Sequence, residues 1–246
     1  MGKNKLKKFT EMATFENVIQ ASYYESKQPD HRLKGNWNGL FFSKHQPIVL
    51  ELGCGKGEYT VALAELLPAF NYIGVDIKGA RMWKGAKQAL ADELKNVGFL
   101  RTGIHFIEQF FAPSEVEEIW LTFSDPQMKN ARKRLTSSYF MEQYRRILKK
   151  DGIVHVKTDS RFQYEYTLAM VRINEFELIA CSTNIDGEMP DDKILAVQTF
   201  YEKQWRERGL PIRYLAFRIS HDRPLVEPDV QIERDDYRSF GRSARE

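Results

Sequence analysis

The stretch Ile48-Val49-Leu50-Glu51-Leu52-Gly53-Cys54-Gly55-Lys56-Gly57 decides the fold of this chain. A short apolar run halts at a glycine, which predicts a buried strand over Ile48–Leu52. Three glycines at alternate positions let the backbone turn tightly and approach a ligand closely. A helix over 58–67, ending before Pro68, then begins with its amide groups facing the crevice. Downstream, the same alternation repeats. Strands are predicted over 72–76, 97–101, 118–123, 153–157, 176–181 and 212–219, with helices over 79–95, 137–150 and 160–173. Asp151-Gly152 is read as the stop of the second of these three helices. Strands alternating with helices imply an α/β, doubly wound, mostly parallel seven-stranded sheet with helices on both faces. Ligands of such sheets sit beyond the carboxyl ends of the strands, where the strand order reverses.

The 246 residues divide into an N-terminal extension (1–46), the α/β domain (47–222) and a C-terminal tail (223–246). The extension is polar and aromatic-rich, with a short helix expected over 11–22. The tail mixes Arg with Asp and Glu and reads as a solvated appendix. Net charge is +3, but Lys3, Lys5, Lys7 and Lys8 cluster at the start, and Lys129, Arg132, Lys133 and Arg134 in the middle. Either cluster suits a phosphate-bearing partner or a solvated surface. Cys54 and Cys181 form no metal-ligand spacing and no disulfide framework, so no metal is expected. Neither a signal peptide nor an apolar run of about 18 residues is present, and a cytoplasmic protein off the membrane, monomer or homodimer, is expected.

The glycine spacing is G-x-G-x-G, unlike the G-x-G-x-x-G of dinucleotide binders. Glu51 precedes it; a carboxylate there repels a pyrophosphate and suits the positive amino-acid end of S-adenosylmethionine. The second strand ends at Asp76, about 20 residues beyond Gly57, where a carboxylate accepts hydrogen bonds from ribose hydroxyls; a helix-capping Asp is the alternative. S-adenosylmethionine is thus the expected cofactor, with Glu51, Gly53, Gly55, Gly57 and Asp76 around it. After the third strand Gly103 offers the adenine only backbone.

The fourth strand delivers Phe123-Ser124-Asp125-Pro126, followed by Gln127-Met128-Lys129-Asn130-Ala131-Arg132-Lys133-Arg134-Leu135. This corner and basic run resemble those of the tRNA (guanine-N7)-methyltransferases. Val156-Lys157-Thr158-Asp159, Thr199-Phe200-Tyr201-Glu202 and Gly209-Leu210-Pro211-Ile212 resemble further motifs of that family, collinear over about residues 45–219. The resemblance implies methyl transfer from S-adenosylmethionine to a guanine N7 of tRNA, at position 46 of the variable loop. It implies cofactor contacts at Glu51, Asp76 and Asp125, with Asp125 also catalytic. It further implies substrate contacts at Lys129, Asp159, Thr199 and Glu202, and RNA contacts along Ala131 to Thr136, among them Arg132, Lys133 and Arg134. The chain departs from the pattern at Gln127, where the family has Trp, at Gly103, where it has Asp, and at Asn130 and Ala131, which thin the basic run.

Guanine N7 carries an in-plane lone pair and no proton, so its attack on a sulfonium methyl needs no general base. Asp125 is therefore expected to orient the base and stabilise developing positive charge. A helix N-cap is the alternative role for Asp159. Trp37, Phe41 and Phe42, near Lys34 and Lys44, suit either the core or stacking on an unpaired base. His31, His45, His105, His155 and His221 read as structural or solvated, and Phe162, Tyr166 and Met170 as packing. An RNA-binding protein with a decayed cofactor site, and a methyltransferase acting on a small molecule or protein, are the alternative readings.

Overall fold

The computed structural model describes residues 2–21, 23–27, 30–220 and 223–238; side chains are described from Leu6 to Tyr237 within these. The side chains of Lys3 and Lys5, all of His221, and residues 239–246 of the expected tail lie outside the described residues. The strands are β1 (Val18–Gln20), β2 (Ile48–Leu52), β3 (Asn71–Val75), β4 (Val97–Arg101), β5 (Val116–Thr122), β6 (Leu148–Thr158), β7 (Glu177–Ser182) and β8 (Arg213–Arg218). The helices are α1 (Gly2–Met12), α2 (Tyr23–Lys27), α3 (Trp37–Leu40), α4 (Glu58–Leu66), α5 (Gly79–Ala91), α6 (Ser138–Ile147), α7 (Arg161–Ile173), α8 (Ile185–Glu188) and α9 (Phe200–Glu207).

One sheet takes the order β1-β4-β3-β2-β5-β6-β8-β7. All pairings are parallel except β6 with β8 and β8 with β7. The order runs outward in both directions from β2 and β5, so the switch point lies between their carboxyl ends. Alternation along β2 sends Val49 to one side of the sheet and Ile48, Leu50 and Leu52 to the other. The first side packs on Tyr59 and Val61 of α4 and on Met82 and Ala86 of α5. The second packs on Phe140 and Tyr144 of α6 and on Tyr166 and Met170 of α7.

The expected doubly wound class is present, but the sheet has eight strands rather than seven. The added strand comes from the N-terminal extension: Val18, Ile19 and Gln20 pair with Phe99, Leu100 and Arg101. The helix expected over 11–22 is displaced to α1. A three-residue strand carries too short an alternation to register in sequence; the open edge of β4 supplies its hydrogen bonds. Nor is the extension a mere appendix. Trp37 is fully buried, stacks on Phe111 at 5.2 Å and donates its indole N–H to the Phe110 carbonyl at 2.8 Å. Phe42 is buried and Phe41 packs against the same core, so these rings serve the core rather than a base. Asp151-Gly152 does not end α6 by a turn. It lies inside β6, which follows the helix directly and shifts register against β5 there.

The glycine turn and α5 meet backbone to backbone. A Cβ on Gly85 falls 2.6 Å from the Lys56 carbonyl oxygen and 2.8 Å from the Gly57 Cα, neither of which can rotate away. Gly85→Ala is therefore expected to cost about 1–3 kcal/mol, lowering Tm by about 2–4 °C per kcal/mol. Gly39→Ala, where a Cβ meets nothing within 4 Å, leaves Tm unchanged in the same scanning fluorimetry.

Candidate active site

Glu51 sits at the end of β2, 3% exposed. Its Oε2 accepts from the Thr60 backbone N–H at 2.9 Å and from the Thr60 hydroxyl, and its Oε1 accepts from the Thr122 hydroxyl. One carboxylate thus ties β2 to α4 and to β5 beneath the glycine turn. Burial pushes its pKa up to about 7, against the lowering effect of the Thr122 and Thr60 hydrogen bonds.

The three glycines divide the work. All have positive φ, at +83°, +56° and +71° for Gly53, Gly55 and Gly57. A Cβ on Gly53 approaches only Leu135 Cδ1, at 3.8 Å, and one on Gly55 only the Gly53 carbonyl, at 3.9 Å. Both therefore border open space. A Cβ on Gly57 meets Phe99 at 2.5 Å, and its N–H is spent on the Cys54 carbonyl at 2.8 Å. Gly57 thus packs against Phe99 and starts α4. Asp76, beyond β3, accepts from the Gly55 N–H at 2.9 Å and the Lys78 N–H at 2.7 Å. Ile77 beside it is 61% exposed. At Gly103 a side chain meets the His105 ring at 2.6 Å, so His105 fills the volume that the missing residue would take. In sequence His105 reads as structural or solvated, because its neighbourhood depends on the turn after β4.

Two acidic corners follow the strands that neighbour β2 in turn, β5 and β6, at the same end of the sheet as the glycine turn. Phe123-Ser124-Asp125-Pro126 leaves β5, with Asp125 exposed and accepting from the Gln127 N–H at 3.1 Å. Phe123 and Gln127 flank it at φ +49° and +48°; non-glycine residues there store about 1–3 kcal/mol each, a cost typical of functional corners. The second corner, Thr158-Asp159, leaves β6. Ser160, not Asp159, caps α7, accepting from the Gln163 N–H at 2.9 Å. Gln163 joins the corners: its amide donates to Ser124 Oγ at 2.6 Å, while its carbonyl accepts from the Thr158 hydroxyl at 3.0 Å. Asp159 is 1% exposed and accepts from the phenol of Tyr237 at 2.8 Å.

Three expected site residues are otherwise engaged. Glu202 is fully buried; its Oε2 meets Lys157 Nζ at 2.8 Å and its Oε1 meets Arg206 at 2.8 and 2.9 Å. Lys157 also donates to the Leu195 and Val197 carbonyls; burial depresses its pKa, opposed by Glu202. This buried ion pair fastens the 189–199 loop and α9 to β6. Thr199 caps α9, accepting from the Glu202 N–H at 3.2 Å. Arg134 is half-buried. Its guanidinium lies over Tyr166 and Phe162 at 4.3 and 4.8 Å and donates to the Gln127 and Met128 carbonyls, closing the 127–134 loop. Lys129, Arg132 and Lys133 remain exposed. Across the turn, Lys56 lies over the Phe200 ring at 3.1 Å. Its pKa is lowered chiefly by burial, against the pull of Glu58, with Lys84, Arg81 and Lys8 adding repulsion.

Glu51 carries a stability signature. Its folded pKa of about 7 exceeds the ordinary 4.5, so the folded chain holds the extra proton between those values. Stability accordingly falls as pH rises through that window and levels off above it. Glu51→Gln, uncharged throughout, is expected to gain Tm relative to the parent between about pH 5 and about pH 8. A difference that stays flat rejects the buried ionisation.

The family model described as "Putative methyltransferase" matches residues 45–215. The chain is 53% identical to the tRNA (guanine-N(7)-)-methyltransferase of Bacteroides thetaiotaomicron, over 100% of this chain and 97% of the relative. It is 47% identical to the enzyme of that name from Porphyromonas gingivalis, over 95% and 98%. The fold is shared with the solved structure of the 16S rRNA methyltransferase KamB at a TM-score of 0.56 and 15% identity, covering 81% of this chain and 94% of that one. With the open glycine turn and two acidic corners at the carboxyl ends of the neighbouring parallel strands β2, β5 and β6, these likenesses lead to one conclusion: the chain belongs to the tRNA (guanine-N(7)-)-methyltransferase family.

Proposed function

We propose that this protein transfers the methyl group of S-adenosylmethionine to N7 of a guanine in tRNA, guanine 46 of the variable loop, in the cytoplasm. The observation that carries this reading is the placing of exposed Asp125 just beyond Thr122, whose hydroxyl is bonded to Glu51 beneath the open glycine turn.

The residues present fit the cofactor. Space left open at Gly53 and Gly55 receives its backbone-hugging part, Asp76 its ribose hydroxyls, and exposed Ile77 the adenine face. His105, whose ring fills the space beside Gly103, takes the place of the family's acidic residue toward the adenine in this reading. When bound, S-adenosylmethionine supplies an electrophilic methyl on a sulfonium. Asp125 then orients the guanine and stabilises the positive charge that grows on its ring, without abstracting a proton. Asp159 accepts from the guanine N1–H and amino edge. Lys129, Arg132 and Lys133 meet the tRNA backbone on one side of the turn. The Lys56 and Arg81 cluster meets it on the other. The fixed corners hold nucleophile and methyl in line, a contribution of about 7–11 kcal/mol in well-oriented systems.

Nucleoside mass spectrometry of tRNA treated with enzyme and S-adenosylmethionine should reveal 7-methylguanosine; unmodified tRNA rejects the reading. Asp125→Ala is expected to cut transfer by about 100-fold or more while Tm holds. The double charge reversal Arg132→Glu, Lys133→Glu should raise KM for tRNA and flatten its salt dependence by about one unit of log–log slope per lost phosphate contact. A KM and salt slope like the parent's would remove these two side chains from the RNA interface.

A further inference from the structure

The sequence predicts a solvated tail, yet its described part is laid along α7 by two carboxylates, half-buried Glu227 and buried Asp235. Asn174, at the end of α7, exchanges two hydrogen bonds with Val226: its amide donates to the Val226 carbonyl at 2.9 Å, and its Oδ1 accepts from the Val226 N–H at 2.7 Å. Glu227 Oε2 accepts from the Ser138 N–H at 2.9 Å and its hydroxyl at 2.8 Å, at the start of α6, while Oε1 accepts from the Tyr166 phenol. Asp235, 6% exposed, accepts from the Phe162 N–H at 3.2 Å and from the Ser160 hydroxyl, at the start of α7. Two acidic side chains thus satisfy amide groups at two helix N-termini, where negative charge is favoured. The segment travels from the far end of α7 back to the crevice and arrives there at Tyr237.

Tyr237 bridges the β6 corner and α9. Its phenol donates toward Asp159 Oδ2 at 2.8 Å and the Asp159 carbonyl at 3.0 Å. Its ring meets Trp205 of α9 edge-on at 5.5 Å, with the Arg208 guanidinium 5.0 Å from the Trp205 ring and 5.6 Å from the Tyr237 ring. The Asp159 carbonyl also accepts from Arg213 at 3.0 Å. A carboxylate turns easily about its last torsion. A donor on one oxygen sets its plane, and the flat edge of a base requires a set plane to bond in register.

We propose that the C-terminal segment 223–238 is a strap that completes the substrate pocket, with Tyr237 as a positioning residue that holds the Asp159 carboxylate for the guanine edge. This rests on the reading of Asp159 as a substrate-facing carboxylate. Methyl transfer by the full chain to tRNA tests it in a double-mutant cycle of Tyr237→Phe and Asp159→Ala, with Tm and S-adenosylmethionine affinity measured alongside. Asp159→Asn replaces Asp159→Ala if the latter lowers Tm. Tyr237→Phe keeps the ring on Trp205 and is expected to leave Tm and cofactor affinity unchanged. Its kcat/KM for tRNA should fall about tenfold, the scale of a lost hydrogen bond to a charged group. In the Asp159 variant the same change should cost nothing further, because the two act as one unit. Parent-like kcat/KM in Tyr237→Phe, or a loss that adds fully to that of the Asp159 variant, overturns the positioning role. Full activity in the Asp159 variants, with Asp125→Ala inactive, instead removes Asp159 from the substrate site and the inference with it.

Discussion

A single buried carboxylate holds the working end of this sheet together. Glu51 binds Thr60 of α4 and Thr122 of β5 from its place on β2, spanning the point where the strand order reverses. Burying it is costly, which the raised pKa records, and hydroxyl and amide donors offset that cost. In return the glycine turn and the Asp125 corner are registered against each other through one side chain. A chain that replaced Glu51 with an apolar residue would keep its strand and lose this registration.

The second constraint lies one strand farther out. Lys157 and Glu202, both at zero side-chain exposure, form an ion pair at 2.8 Å that Arg206 completes. Removing one partner from such a pair leaves an unpaired buried charge, the expensive outcome. The pair brings α9, with Phe200 and Tyr201, to the rim beside Lys56. Gln163 meanwhile ties Ser124 to Thr158, so both acidic corners belong to one hydrogen-bonded unit. Residues that resemble family substrate positions thus divide into those exposed at the crevice and those that build it.

The two chain ends share a role that their compositions conceal. The first 46 residues add an edge strand and the fully buried Trp37, and Phe9 of α1 lies under the Arg101 guanidinium at 4.5 Å, next to the start of α5. The described tail caps α6 and α7 and reaches Asp159.

Sequence alone determined the α/β order, the strand from Ile48 to Leu52, the open turn at Gly53 and Gly55, and the placing of Asp76, Asp125 and Asp159 at strand ends. These are local properties: hydrophobic period, glycine spacing and the residue following a strand are all written in neighbouring positions. Only the tertiary structure decided that Gly57 packs against Phe99, that Arg134 settles over Phe162 and Tyr166, that Glu202 is sealed by Lys157, that Val18–Gln20 is a strand, and that Tyr237 meets Asp159. Each of these depends on a partner tens of residues away. A charged or polar side chain reads alike in sequence whether it faces water, RNA or a buried counter-ion; its desolvation is settled only when the chain closes around it.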